Sequence, residues 1–568
     1  MKRITFLTFF LVISVLLLRA TDVLAQNPTP PHSAAALAFQ RVWPFIGNNT
    51  EGASVAVDAA GGVHLGFSAY TAMGGAWPAY YAYCAANCQN AANWTTTIVG
   101  DLGTWGGSTR LILDAAGHPR LLWFNETSIS GPGVFQYAEC NTACTNAANW
   151  TRVNAATTSS VAGSSYFSRY FVLDQQGHPR FIYTDTDASH PGTYYAYCDT
   201  GCSTSSTNWH EVQISSAYLL YEFSLVFDSN NGIHLAYRDA TAYPDTLGYG
   251  VCTSNCTNAD NWNSITLTDL GSGAAFSLRV DTQRRPRLAF YTGYLGSGNP
   301  ANNLVEYVWC NTTCLQIANW DSYAVGLPAS YGAEVDLALD QQNRPHLAYY
   351  VDDVVHSAYG LGYATCTTDC ETQSAAWQAQ FVETSNELDA SDPIPIQSGC
   401  SISSWLEVGH TPVLALDAGG NPRIGYTAQH YQGGTCTIHS DMRLVRFARA
   451  GNSTPPAPTP PASVVVDGPA IGVINTSYTF TATVSPITAT TPITYVWQAT
   501  GLTTQTHTGR GTSDTVTFTW PAGATGLKTI SVSATNQAGT KSSSRTILIS
   551  ATPIVFNHWV YLPAIRKP

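Results

Sequence analysis

From about residue 50 to about residue 450 the chain is written in short apolar runs separated by turn formers, and the runs recur in a fixed order. Leu111 to Trp150, LILDAAGHPRLLWFNETSISGPGVFQYAECNTACTNAANW, shows one unit. An apolar run ends in Asp, and a Gly- or Asn-rich turn follows. Then come Pro-Arg, a second run, a variable loop, a third run ending in Cys-x-x-x-Cys, and a closing Trp. The runs LILD, RLLWF, VFQYAEC and WTRVN are rich in β-branched and aromatic residues, so each unit reads as four strands. Several runs are apolar on both faces, as strands are when neighbouring sheets cover them.

The columns of the repeat are regular. Asp recurs at Asp58, Asp114, Asp174, Asp228, Asp281, Asp340 and Asp417, which makes seven units. Six residues after each stands His64, Arg120, Arg180, His234, Arg287, His346 or Arg423. Six units carry a cysteine pair: Cys84 and Cys88, Cys140 and Cys144, Cys198 and Cys202, Cys252 and Cys256, Cys310 and Cys314, and Cys366 and Cys370. Trp94, Trp150, Trp209, Trp262, Trp320 or Trp377 follows each pair. Four-stranded sheets repeated radially make a β-propeller, so seven units predict an all-β, seven-bladed propeller over residues 26–448. The competitor is a linear β-solenoid. The seventh unit stops at MRLVRFA without the Cys pair or Trp strand, while an orphan run, LAFQRVWPFIG, precedes the first unit. Residues 38–47 are therefore expected to supply the outer strand of the seventh blade and close the ring, removing two sticky edges.

Ahead of the repeats, residues 1–25 have the three parts of an export signal: Lys2 and Arg3, an apolar core from Phe6 to Leu18, and Val23-Leu24-Ala25, with cleavage expected before Gln26. The core is short for a spanning helix and no second such segment follows, so no membrane span is expected in the mature chain. Cleavage moves the formal charge from −12 to about −14. No Lys stands between Lys2 and Lys528. That acidic, Lys-free body speaks against nucleic acid or anionic lipid as partners and removes Schiff-base chemistry from the repeats.

The 14 Cys fit an oxidising compartment. Pairing within each Cys-x-x-x-Cys is the simplest connectivity, with Cys400 and Cys436 left as a seventh bridge. The alternative is zinc, but thiolate pairs that bind zinc usually meet a second pair or a His, whereas here each pair recurs alone. No metal and no cofactor are expected. For the Asp column, one reading is a ring of seven ligands. The other, which the recurrence favours, is one turn lock per blade, with the carboxylate accepting N–H bonds of the turn it opens. Asp228-Ser-Asn-Asn-Gly has some likeness to a calcium loop but lacks the later acidic ligand.

Function should lie where the repeats differ. The loops between second and third strands vary most and should share a rim with the connections between blades. That rim is rich in Tyr, Trp, Asp, Asn and Gly, a surface suited to sugar rings or protein. Trp77, Tyr166, Tyr243, Tyr294 and Trp405 are the candidate contact aromatics, with burial under the loops as the rival reading for each. Glycosidase chemistry would need paired carboxylates, or Tyr with Glu, and Arg to hold an acidic substrate. Arg110, Arg169, Glu222 and Glu334 stand shortly before first strands and could converge on the central mouth. Other unassigned charges include Arg238, Arg279, Arg443 and Glu407. The chain has no Gly-x-Ser-x-Gly elbow, His-Glu-x-x-His or phosphate loop. Binding rather than catalysis is the primary expectation.

A Pro/Ser/Thr linker spans 449–463. Residues 464–552 alternate apolar and polar over six or seven strands around a single expected buried Trp, Trp497, which predicts a Cys-free β-sandwich. The tail, 553–568, is too short and polar to span a membrane.

YTFTATV, YVWQATG and TISVSATNQAG resemble the PKD and bacterial immunoglobulin-like modules of secreted proteins, although Ala-Thr-Gly stands where Gly-Asp-Gly is usual. The resemblance implies a spacer or adhesive role. The repeat unit is similar to secreted bacterial propellers built of Asp-x-x-Gly-x-Pro-His/Arg repeats and, more distantly, to sialidase-like propellers. The sialidase Asp-box, Ser-x-Asp-x-Gly-x-Thr-Trp, is not matched. These features together predict a secreted or cell-surface monomer whose propeller rim recognises a glycan or protein. A sialidase-like hydrolase or lyase on acidic glycans, and a purely structural surface protein, are the alternatives.

Overall fold

The computed structural model describes residues 37–553, except for 47–49, 70–76, 104–108, 127–131, 159–168, 188–189, 217–219, 242–244, 270–275, 292–304, 326–333, 354–357, 373–375, 390–403, 432–441, 451–459, 486–488, 490–492 and 537. The segment read as an export signal, 1–25, and the tail from 554 lie outside the described residues. The chain separates into two compact units that divide between Gly451 and Asn452.

The first unit is all-β and propeller-like. It holds seven four-stranded antiparallel sheets, six of them made of strands consecutive in sequence. The second sheet is representative, with strands Thr109–Leu113, Pro119–Glu126, Gly133–Glu139 and Thr151–Thr158. Second strands such as Val63–Ala69, Pro179–Asp185 and Pro286–Tyr291 are buried at every residue, which is why apolar side chains stand on both of their faces. Outer strands such as Thr95–Asp101 are half exposed and accordingly rich in Thr.

The seventh sheet is assembled from both ends of the unit. Ser404–Leu416, Pro422–Tyr431 and Met442–Ala450 pair in order, and Phe39–Val42 adds antiparallel to Met442–Ala450, with Phe39 opposite Ala450 and Val42 opposite Phe447. First strands pack against one another from sheet to sheet, and that of the seventh sheet packs against that of the first, so the order is cyclic.

Aromatic side chains run the same circuit. Tyr81 of the first sheet meets Trp150 of the second at 5.2 Å between ring centroids, and Tyr137–Trp209, Tyr195–Trp262, Tyr249–Trp320 and Tyr307–Trp377 repeat the contact. At the closure the roles pass to other rings. Phe39 of the clasp strand meets Tyr363 of the sixth sheet, and Phe447 of the seventh meets Trp94 of the first. Each such pair contributes roughly 0.5–1.5 kcal/mol beyond its burial.

The second unit packs a three-stranded sheet (Ser463–Asp467, Ser477–Ser485, Ser513–Thr519) on a five-stranded one (Ile471–Val473, Gly539–Ser550, Gly526–Asn536, Ile493–Ala499, Gln505–Arg510). Its core corrects the expectation of a single buried tryptophan, since Trp497 and Trp520 are both fully buried. The Trp497 indole N–H donates to Asp514 and that of Trp520 to the Thr500 carbonyl, which is how two such rings sit in one core at no polar cost.

Candidate functional site

Antiparallel order puts the first-to-second and third-to-fourth connections of a sheet at one end, the turn rim. The second-to-third loops and the links between sheets fall at the other, the loop rim. The two ends are built on different principles.

At the turn rim all seven Asp side chains do the same thing. One carboxylate oxygen accepts from the N–H groups two and four residues on: Ala60 and Gly62 at Asp58, Ala116 and His118 at Asp114, Gln176 and His178 at Asp174. The pattern continues with Asn230 and Gly232 at Asp228, Gln283 and Arg285 at Asp281, Gln342 and Arg344 at Asp340, and Gly419 and Asn421 at Asp417. The third residue after each Asp has positive φ, whether Gly61, Gly117, Gly177 and Gly420 or Asn231, Arg284 and Asn343. That backbone shape is what Gly or Asn in the repeat supplies.

The second oxygen faces the residue at plus six, for which two designs alternate. Where it is Arg, one guanidinium nitrogen reaches the Asp and another the carbonyl that ends the third strand. Arg120 lies 2.7 Å from Asp114 and 3.1 Å from the Cys140 oxygen, and Arg180, Arg287 and Arg423 do likewise. Where it is His, the ring faces the Asp and bonds a third-strand tyrosine hydroxyl, as His64 does with Asp58 (3.2 Å) and Tyr81 (2.7 Å). His234 and His346 bond Tyr249 and Tyr363 likewise, with the Asp 3.6 Å from the other ring nitrogen. Burial opposes ionisation of Asp58, Asp114 and Asp340, but these partners outweigh it and hold all three below the usual carboxylate range.

The six cysteine pairs are disulfides, each closed between the third and fourth strands of its own sheet. Cys84 is bonded to Cys88, Cys140 to Cys144, Cys198 to Cys202, Cys252 to Cys256, Cys310 to Cys314 and Cys366 to Cys370. No thiol of these twelve is left to bind a metal, so the zinc alternative does not apply to them. The following Trp donates its indole N–H to the carbonyl of Cys88, Cys144, Cys202, Cys256, Cys314 or Cys370, at 2.8 to 3.3 Å. Cys400 and Cys436 lie outside the described residues. A cavity of about 470 Å³ opens on this rim between the turns of the sixth, seventh and first sheets, where Ala59, Ala418, Gly419 and Gly420 offer little side chain to fill it. Among the described residues no group of His, Cys, Asp and Glu is arranged to hold a metal.

Toward the loop rim the sheets diverge. Four residues before the recurring Asp stand Ser54, Arg110, Tyr170, Ser224, Ser277, Asp336 and Val413. Several of these tie one sheet to the next: Ser54 accepts from the Leu111 N–H at 3.0 Å, Ser224 from Leu278 at 2.9 Å, and Asp336 from Leu414 at 2.5 Å.

Asp336 is the centre of the site. Fully buried, it also receives the Ser277 hydroxyl at 2.8 Å, the Arg279 guanidinium at 3.2 Å and a close ion pair from Arg169. Arg110 interacts electrostatically with the same carboxylate and with Arg169. Burial lowers the affinity of Arg110 and Arg169 for their protons. At Arg169 the crowding of Arg279 and Arg110 adds to burial, against Asp336. Two guanidiniums, from the third and fifth sheets, thus pair with one carboxylate of the sixth, and Arg110 of the second acts on it electrostatically.

Two further clusters flank it. His410 lies between Glu334 (3.1 Å) and Glu407 (2.8 Å) and stacks on Tyr350 at 4.1 Å. Burial disfavours the imidazolium, yet the two carboxylates prevail and push His410 up to about 9. Burial also raises Glu334. In the fourth sheet Glu222 meets Arg238 at 3.1 Å, and Arg238 also pairs with Asp245. Burial pushes Glu222 up to about 7 despite Arg238. Glu222 sits in a β-bulge at φ 57°, a left-handed conformation that its counterpart Gly52 of the first sheet adopts freely and a Glu does not.

The four charged candidates therefore part company. Arg110 and Arg169 come together, Glu334 joins His410, and Glu222 joins Arg238. Arg110 and Glu222 lie within first strands rather than before them. Arg279 is among the charges that the sequence leaves unassigned, and Asp336 escapes sequence reasoning because it interrupts the apolar run VDLAL. Its signal is positional, since it shares a column with Arg110. Among the aromatics, Trp77 is a correction: its N–H and carbonyl bond Gly103 and Leu102, and its ring is buried with Tyr81 and Trp123 in the core. Tyr166, Tyr243 and Tyr294 lie outside the described residues. Trp405 is placed only by its backbone, opposite His430.

No described helix is long and apolar enough to cross a membrane. No protein-family model and no curated protein matches the chain. Similar solved structures include the NanB sialidase of Streptococcus pneumoniae, at 11% identity over 75% of this chain and 71% of that one, with a TM-score of 0.36. A xylan β-1,4-xylosidase of Bacillus halodurans is similar at 9% identity over 76% and 97%, with a TM-score of 0.29. An endo-arabinase of Bacteroides thetaiotaomicron is similar at 10% over 52% and 99%, with a TM-score of 0.27. At these TM-scores no residue, reaction or role is carried over to this chain.

Proposed function

We propose that the first unit is a seven-bladed β-propeller, exported from the cell, whose loop rim recognises an acidic carbohydrate. The second unit is an immunoglobulin- or PKD-like sandwich that acts as a spacer, and the protein works as a monomer. The observation that carries this reading is the pairing of Arg169 and Arg279 with one buried carboxylate, Asp336, with Arg110 acting electrostatically on Asp336 and Arg169, a concentration of guanidiniums in a chain of net charge −12. Arg169 and Arg279 are about one-fifth exposed, so only a slim group reaches them, which favours a sugar carboxylate over a flat protein surface. Tyr166, Tyr243, Tyr294 and Trp405 are the aromatics proposed to stack on the rest of the ligand, and Cys400–Cys436 is proposed as a seventh bridge.

A glycan array probed with mature chain tests this. Sialylated or uronic-acid glycans should bind and neutral ones should not, and Arg110→Gln should abolish the signal. Equal binding of neutral glycans would sink the proposal. The second reading, a sialidase-like hydrolase, is favoured by one observation: Glu222 combines strained backbone with a carboxyl that stays half protonated near neutrality, a combination found at general acids. Turnover of a fluorogenic sialoside, lost in Glu222→Gln, would establish it. Silence in both assays would leave a structural surface protein.

A further inference from the structure

In the second unit the outer face of the five-stranded sheet is mostly a lawn of Ser and Thr. Thr546 stands opposite Thr529, Ser544 opposite Ser531 and Ser542 opposite Ser533. One end breaks this pattern. Leu548 pairs with Leu527 on one side and with Ile471 on the other, so three aliphatic side chains lie in one row across three strands. They are 41%, 67% and 42% exposed, whereas Ile547 and Ile549 on the opposite face are buried. Sheet faces that meet only water do not ordinarily carry directly opposed aliphatics.

We infer that this row is the seat of the chain's own segment 554–568, IVFNHWVYLPAIRKP. The described residues end at Pro553, three positions past Ser550, where the strand bearing Leu548 stops. The segment therefore leaves the sheet beside the row. Strands lie roughly 4.8 Å apart, so three strands are crossed in about 10 Å, the reach of three or four extended residues. Ile554, Val555, Phe556, Trp559, Val560 and Tyr561 supply the apolar side chains to cover it.

A second copy is a poorer occupant. Three side chains offer far less than the roughly 800 Å² per partner that a stable dimer buries. A tethered segment needs no such area, because its tether holds it at roughly millimolar effective concentration.

The test compares mature chain with chain truncated after Pro553. Truncation is expected to raise binding of the apolar dye ANS several-fold, and Leu527→Ser with Leu548→Ser is expected to cancel that rise. If mature and truncated chains bind the dye equally, the inference fails. A second arm avoids dependence on the truncated chain's folding: Leu527→Cys with Phe556→Cys in the mature chain should form a disulfide within a monomer under mild oxidation. Cross-links found only between two chains would assign the row to a second copy and overturn the inference.

Discussion

The two rims of the same seven sheets use charge in opposite ways. On the turn rim each Asp is matched within its own sheet by two N–H groups and faces the Arg or His six residues on, and the arrangement recurs seven times. On the loop rim charges from different sheets meet: Arg169 and Arg279 both pair with Asp336, and Glu334 and Glu407 both pair with His410. On the function proposed above, what every repeat carries serves the fold, and what single repeats carry, brought together only by the cycle, serves recognition.

The sharpest break in that contrast would come from Asp281→Ala. It strips a fully buried carboxylate from Arg287, itself 3% exposed, and from two turn N–H groups. Removing one partner of a buried pair costs about 3–5 kcal/mol, read in denaturant titration. Asp336→Ala should cost roughly 2–4 kcal/mol for the same reason. Here, though, added acetate or another small carboxylate should restore part of the loss, because the stranded arginines face a mouth rather than a closed turn. No such rescue is expected for Asp281→Ala.

The rims should also respond oppositely to pH. Asp58, Asp114 and Asp340 have folded pKa values below their ordinary ones, so their stabilisation is present above about pH 4 and is lost as pH falls through the depressed values. His410 is raised to about 9, so its contribution is complete below about pH 6.5 and disappears as pH rises through 9. It amounts to at most about 3 kcal/mol, since burial of Glu334 works against it. Stability measured from pH 6 to 10 should therefore fall in the native chain and stay flatter in His410→Gln. A smaller effect is expected at Arg284, which holds a left-handed backbone where four other repeats use Gly. Arg284→Gly should stabilise by about 0.5 kcal/mol, seen as a small rise in Tm.

Much of the turn rim could be read from the chain because its contacts are local. Asp and its partners are two, four and six residues apart, and Cys and Trp are six or seven apart, so spacing alone carries them. The loop rim could not, because Arg169 and Asp336 are 167 residues apart and meet only through the cyclic order. Phe39 and Phe447 escape sequence reasoning for a related reason: they replace the Trp and Tyr of other repeats at the closure, and only the cycle shows what they replace. The sequence neighbours of Trp77 point it to the rim, but hydrogen bonds to Leu102 and Gly103 extend the sheet past it and turn its ring inward. Trp520 is legible in principle, since Val516, Phe518 and Trp520 keep the two-residue alternation of an inward face.

The most direct test of the division between rims is calorimetric titration of one acidic glycan into two variants, Arg110→Gln on the loop rim and Arg423→Gln on the turn rim, each with its Tm recorded. The account predicts that Arg110→Gln loses at least tenfold in affinity while unfolding near the native Tm, and that Arg423→Gln unfolds earlier but binds, per folded molecule, as the native chain does. Lost binding in Arg423→Gln, or full binding in Arg110→Gln, would contradict it.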